Sequence, residues 1–244
     1  MVLVIRRFPL SSWSLLVMLM ACNAVSFSAD IPEKLQEELD RGKKRFEGEL
    51  KEAQETLLGS FDKKISSARS TQKLTGEEKQ QLIANLEAEK VMLKSSGHIP
   101  FSLAMRAETV DYLKKVQKSE TALEKVYDRL IDTQTKQKND DIARTLVTDK
   151  KQATEPRIVA EWQLTDPKTN KVTGTWTLWS NGSAQGKDSY HTWTVDQRHL
   201  AIRWQRPPNI RWTDKIALKA DVMQADIVNE QGVTIASAKR VFAE

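Results

Sequence analysis

Residues 174–186 read GTWTLWSNGSAQG, with two tryptophans three positions apart just before an Asn-Gly pair. Successive side chains of a strand point to opposite faces, so this odd spacing sends Trp176 and Trp179 to opposite sides of a sheet. Trp176 falls with Leu178, and Trp179 falls with Thr175 and Thr177. Unless a β-bulge restores its parity, Trp179 is a candidate contact residue. An indole beside a turn can stack on the C–H face of a sugar or anchor a protein interface. Tyr190 and Arg203 also fall opposite the apolar residues of their strands. With Asn181 in the turn, the candidate binding set is Trp179, Asn181, Tyr190 and Arg203.

Residues that could do covalent or hydrolytic chemistry are sparse. His98, His191 and His199 form no H-E-x-x-H or H-x₃₋₅-H pattern, and no cysteine follows Cys22, so a metal site has no framework. Asp188, His191 and Asp196 are close in sequence. Strand parity, however, sets His191 beside Trp193 and Val195, at a rim or partly buried. No serine sits in a G-x-S-x-G elbow, and neither a phosphate-binding loop nor a dinucleotide fingerprint is present. Glu77-Glu78 is a poor glycosidase dyad because it opens a helix. The expectation is a protein that is not an enzyme, with no cofactor and no metal. Asn181-Gly182-Ser183 is formally a glycosylation sequon, but in a bacterial chain it reads as a turn.

The N-terminal segment, MVLVIRRFPLSSWSLLVMLMACNAVSFSAD, has an arginine pair, a short apolar run and a small-residue exit. That order is a secretory signal over residues 1–29. The run is too short to span a bilayer, which needs about 20 apolar residues. The arginine pair lacks the flanking residues of a twin-arginine signal. Cys22, within LMAC, resembles a lipobox cysteine and is the candidate lipidation site; the alternative is an ordinary signal removed with its cysteine. Either way no disulfide staples the remainder.

The net charge of +5 is spread out: +2 from Arg6 and Arg7, 24 basic against 23 acidic side chains over 30–154, and 12 against 10 over 155–244. Nucleic-acid binding needs a concentrated basic face, so a nucleic-acid partner is excluded. Membrane contact is expected only through an N-terminal lipid.

Two regions with different periods must position these residues. From 30 to 154 the apolar spacing is helical. Leu35, Leu39, Phe46, Leu50, Ala53, Leu57, Phe61, Ile65 and Ala68 form one stripe. Thr75, with Glu78 three positions later, is a capping box opening a second helix with Leu82, Leu86 and Leu93. That helix stops at SSGHIPFS. A third runs from Met105 through Thr109, Tyr112, Val116, Ser119, Leu123, Val126 and Leu130. Asn139 or Asp140 caps a short fourth helix carrying Ile142, Ala143, Leu146 and Val147. Such narrow stripes predict a coiled coil or antiparallel bundle, pairing either within one chain or between copies as a homo-oligomer.

From 155 to 244 the period is two. Strands are expected at 158–165, 172–179, 183–186, 190–196, 199–205, 212–219, 222–228 and 232–241. Asn181-Gly182 predicts a type I′ hairpin turn. Trp176, Trp193, Trp204 and Trp212 each fall on the apolar side of a strand. Burying each ring removes roughly 150–250 Å², several kcal/mol at about 25 cal/mol per Å², enough to found a small core without disulfides. The predicted fold class is α+β in two separate domains: an N-terminal α-helical coiled coil or antiparallel bundle, then an all-β antiparallel meander closing as a small barrel or sandwich.

The run Trp176, Leu178, Asn181, Gly182, Trp193, Val195, Asp196, Leu200, Ile202 and Trp204, preceded by the helical YLKKVQKSETALEKVYDRL, resembles uncharacterised bacterial exported proteins that pair a charged helical segment with a C-terminal Trp-rich β-meander domain. The resemblance implies architecture and no activity. The resulting expectation is a non-enzymatic exported protein, periplasmic, envelope-attached or secreted. Its helical spacer or oligomerisation segment would present a β domain that binds a protein or glycan of the cell envelope. Two alternatives are a hydrolase acting on an envelope polymer and a purely structural lipid-tethered protein.

Overall fold

The computed structural model describes residues 31–185, 190–195, 200–206, 210–219 and 223–241, with the side chains of Tyr190, His191, Leu200, Trp204, Gln205, Arg206 and Ile210 excepted. The signal segment with Cys22, and Asp188, Asp196 and His199, lie outside the described residues.

Helix α1 spans Glu33–Ser70, α2 Gly76–Ser96, α3 Arg106–Lys136 and α4 Asp140–Ala153, with a 3₁₀ turn at Leu103–Met105 leading into α3. The capping box at Thr75 is present: its hydroxyl accepts from Glu78 N, and the Glu78 carboxylate accepts from Thr75 N. Gly97 ends α2 in the left-handed region at φ 70°, where a side chain would clash with the backbone. Asn139 precedes α4, but its side chain bonds Gln134 rather than capping the helix.

The helices fold back on one another within the chain. Leu39, Phe46 and Leu50 of α1 meet Val116, Leu123, Tyr127 and Leu130 of α3 and Leu146 of α4 in one cluster. Leu57, Phe61 and Ile65 meet Leu86 and Leu93 of α2 in another. A polar tie crosses the first cluster, because Asp149 accepts from both Lys43 Nζ at 2.9 Å and the buried Tyr127 hydroxyl at 2.8 Å. Burial together with the Asp149 carboxylate pushes the phenol above its ordinary range, so Tyr127 stays a donor. No described helix is long and apolar enough to cross a membrane.

Eight antiparallel strands follow in meander order and close into a barrel: β1 Ile158–Thr165, β2 Val172–Trp179, β3 Ser183–Gln185, β4 Tyr190–Val195, β5 Leu200–Arg206, β6 Ile210–Leu218, β7 Gln224–Val228 and β8 Thr234–Val241. Closure by the β1–β8 ladder leaves no free edge. Trp176 and Trp193 point inside as their parity requires. So does Trp162, the largest fully buried side chain, which shares its face with Leu164. Trp212 is half-buried on the inward parity, where it donates to Asp214 at 3.2 Å.

The β2–β3 turn differs from the type I′ form. Of the pair, only Gly182 takes a positive φ, 81°. Gly182 N donates to Trp179 O, so a type I turn is followed by a left-handed glycine, the three-residue hairpin solution. Asn181 instead uses its side chain, Oδ1 accepting from Ser183 N and Oγ.

The two parts share a core. The segment His98–Ser102, between α2 and the 3₁₀ turn, inserts into the end of the barrel where β1 begins. Ile99 and Phe101 belong to the same buried cluster as Trp162, Trp176 and Trp193. Phe101 lies 6.1 Å from the Trp162 ring and meets Trp193 edge-on at 6.3 Å. A buried loop is tolerable only if its backbone polar groups find partners, and from Ile99 to Ser102 they do. Ile99 N donates to Val159 O, released by the bulge between Ile158 and Ala160. Phe101 N and Ser102 N both donate to Glu89 Oε1, at 2.6 and 2.9 Å. The carbonyls of Ile99, Pro100 and Phe101 accept from Arg240, Thr109 and Arg106 respectively.

Candidate functional site

Strand register decides which of the sequence candidates share a surface. Ser183 pairs with Thr192, Thr192 with Arg203, and Arg203 with Thr213. These four form one row across β3 to β6. Thr192 and Arg203 are exposed, and Ser183 and Thr213 half-buried. Leu178 pairs with Ala184, so the hairpin carries Trp179 to the next position, beside Ser183, with Asn181 at its tip. Trp179 keeps its parity, since the nearby bulge lies on β1 rather than β2. It is half-buried, at the edge where the barrel wall meets the bundle. Tyr190 pairs with Gln185, one step further along β4, and its side chain lies outside the described set. Register therefore gathers Trp179, Asn181 and Arg203 on one hydroxyl-rich wall.

The turn is fixed from below by α3 and β1. Ser180 Oγ donates to Glu120 Oε1 at 3.1 Å, and Ser180 exchanges hydrogen bonds with the Arg157 backbone, donating to its carbonyl at 2.8 Å. Burial raises the Glu120 carboxyl above its ordinary value, opposed by the Ser180 bond and the Arg157 charge. The Trp179 carbonyl accepts from Trp193 Nε1 at 2.8 Å, tying the hairpin to the core. The indole of Trp179 thus stands on a backbone held at three points, which lowers the entropy lost on contact.

Among the described residues no group of three or more His, Cys, Asp or Glu side chains could hold a metal ion. Asp214 lies on the inward parity of β6 and is 2% exposed, bonded to Trp212. It belongs to the barrel interior rather than to a loop cleft.

A second constellation sits at the plug. Arg240 and Glu89 are both fully buried, with Nη1 3.8 Å from Oε1. The guanidinium lies 5.0 Å from the Phe101 ring and 5.6 Å from that of Trp162. Burial, opposed by the Glu89 charge, lowers Arg240 to about 10, still cationic at neutral pH. Sequence reasoning missed both residues, although each had a signal. Glu89 occupies the apolar stripe between Leu86 and Leu93, and Arg240 shares inward parity with Ala236 and Ala238. A charge in each of two apolar stripes, of opposite sign, is a cue for a buried pair.

His98 begins the plug, and only 5% of it is exposed. Burial, with the Arg240 charge beside it, holds its pKa at about 4, below the ordinary 6.5. Between those values the unfolded chain takes up a proton that the folded chain refuses, so stability is full above pH 6.5 and falls as pH drops toward 4. At 1.36 kcal/mol per pH unit the loss reaches about 3 kcal/mol. Denaturant unfolding at pH 7 and pH 5 should show this slope in the natural protein and lose it in His98→Gln. Equal slopes would mean that His98 is solvated.

Comparison with protein-family models, with curated proteins and with solved structures finds no match for this chain.

Proposed function

We propose that this chain is a non-enzymatic exported protein of the cell envelope, in which the helical bundle holds a barrel whose outer wall binds a partner protein or glycan. The observation that supports this reading is the wall itself. Trp179 and Arg203 stand at the two ends of one outward row, three strands apart, with Ser183 and Thr192 between them, Asn181 at the hairpin tip and Thr213 beyond Arg203. An aromatic ring, a guanidinium and several hydroxyls on a rigid sheet are the groups that stack on sugar rings and bond their hydroxyls, or that anchor protein contacts. Glu78 serves a helix cap, Glu89 and His98 are buried at the plug, and Asp214 is buried in the barrel.

The test is binding to envelope polysaccharide fragments and envelope protein extracts, read by calorimetry and pull-down. Trp179→Ala and Arg203→Ala should each weaken binding by about tenfold or more, as for a hot-spot residue above 1 kcal/mol. Unfolding midpoints should stay close to that of the natural protein. If the double variant binds as well as the natural protein, the wall is not the contact surface.

A further inference from the structure

A cavity of about 130 Å³ lies where the bundle meets the barrel, close under the Trp179 hairpin. Leu113 and Val116 of α3 and Ile158 of β1 supply an apolar wall, and Ser96, Tyr112 and Arg157 supply polar groups. Junctions between packed units that combine apolar walls with a few convergent polar groups are the usual place for small-molecule sites. The volume is close to the roughly 150 Å³ that accommodates a benzene ring.

Arg157 sets the chemistry. Its guanidinium sits over the Phe46 ring at 5.5 Å, which orients it. No carboxylate of the described residues lies within ion-pair distance of it. Lys43, Lys64, Lys150 and Arg240, by contrast, are paired with Asp149, Glu108, Asp128 and Glu89. Glu120, whose carboxylate feels the Arg157 charge, accepts from Ser180 instead of pairing with the guanidinium. Burial raises the Tyr112 hydroxyl above its ordinary range, leaving a neutral donor beside the cation. An exposed arginine at the mouth, a phenol and an apolar floor match a carboxylate attached to a compact hydrocarbon body.

We propose that this cavity binds a small monocarboxylate with an apolar body about the size of one ring, its carboxylate held by Arg157 and its body against Leu113, Val116 and Ile158. This site is independent of the outer wall. Isothermal titration of the full chain with benzoate, hexanoate and neutral benzyl alcohol tests it. Benzoate should bind at one site per chain, and benzyl alcohol at least about tenfold more weakly. Arg157→Gln should weaken benzoate by about tenfold to a hundredfold, the loss of one charge-assisted contact, and leave benzyl alcohol unchanged. Ser96→Trp, which fills the cavity from its rim, should abolish binding of all three while helical circular dichroism and the unfolding midpoint are retained. Trp179→Ala should leave benzoate binding unaltered, which separates this site from the wall. Absence of binding by both acids at millimolar concentration overturns the proposal, as does equal benzoate affinity in Arg157→Gln or undiminished binding in Ser96→Trp.

Discussion

Glu89→Ala should destabilise the protein by about 3–5 kcal/mol, the range for removing one partner of a buried ion pair. The substitution strands the Arg240 guanidinium, which is fully buried. It also removes the acceptor of Phe101 N and Ser102 N, and each unmade buried bond costs about 1–3 kcal/mol. Glu89→Gln keeps an oxygen for those two donors and should lose less. The paired change Glu89→Leu with Arg240→Met should recover part of the loss, because two apolar side chains of similar size avoid the desolvation of both charges. Chemical denaturation of the four proteins measures all of this. A loss below about 1 kcal/mol for Glu89→Ala would show that the plug is not held by this carboxylate.

Phe101→Ala should also cost about 3–5 kcal/mol, the range for emptying a buried phenylalanine site, and should change the shape of unfolding. Phe101 is the ring through which the helical part enters the barrel core, packed on Trp162, Trp193 and Arg240. In the natural protein, helical circular dichroism and tryptophan fluorescence should report one coincident transition. The tryptophans of the described chain all lie in the barrel, so in the protein without residues 1–29, and hence without Trp13, fluorescence follows that part alone. With Phe101→Ala the fluorescence transition should move to lower denaturant than the helical one. Coincident transitions in the variant would mean that the parts are joined by other contacts. Two separate transitions in the natural protein would mean that the plug does not couple them.

The elements were legible in the sequence because they rest on local rules. The stripe from Leu39 to Ala68, the capping box at Thr75, the break at Gly97-His98-Ile99-Pro100 and the alternation around Trp176 and Trp193 each depend on residues within a turn or a strand of one another. Their periods cannot be satisfied in another secondary structure. The side of the sheet taken by Trp179 followed from the same alternation. The type of the β2–β3 turn did not, because Asn-Gly suits more than one hairpin. The three-residue loop was selected by the register of Leu178 with Ala184.

What the sequence determined by itself was therefore the kind and order of the elements, most of their ends to within about two residues, and the inward parity of Trp176, Trp193 and Trp212. Tertiary structure alone decided that the meander closes as a barrel, that His98–Ser102 fills one end of it, that Glu89 meets Arg240, and that Arg157, Tyr112 and Ser96 surround one cavity. Those pairings join residues as far apart as Ile99 and Arg240, whose contact is 141 positions long. Local conformational preference carries no information over such a span. Only the burial of apolar surface, and the need of each buried polar group for a partner, selects among the ways the elements could pack.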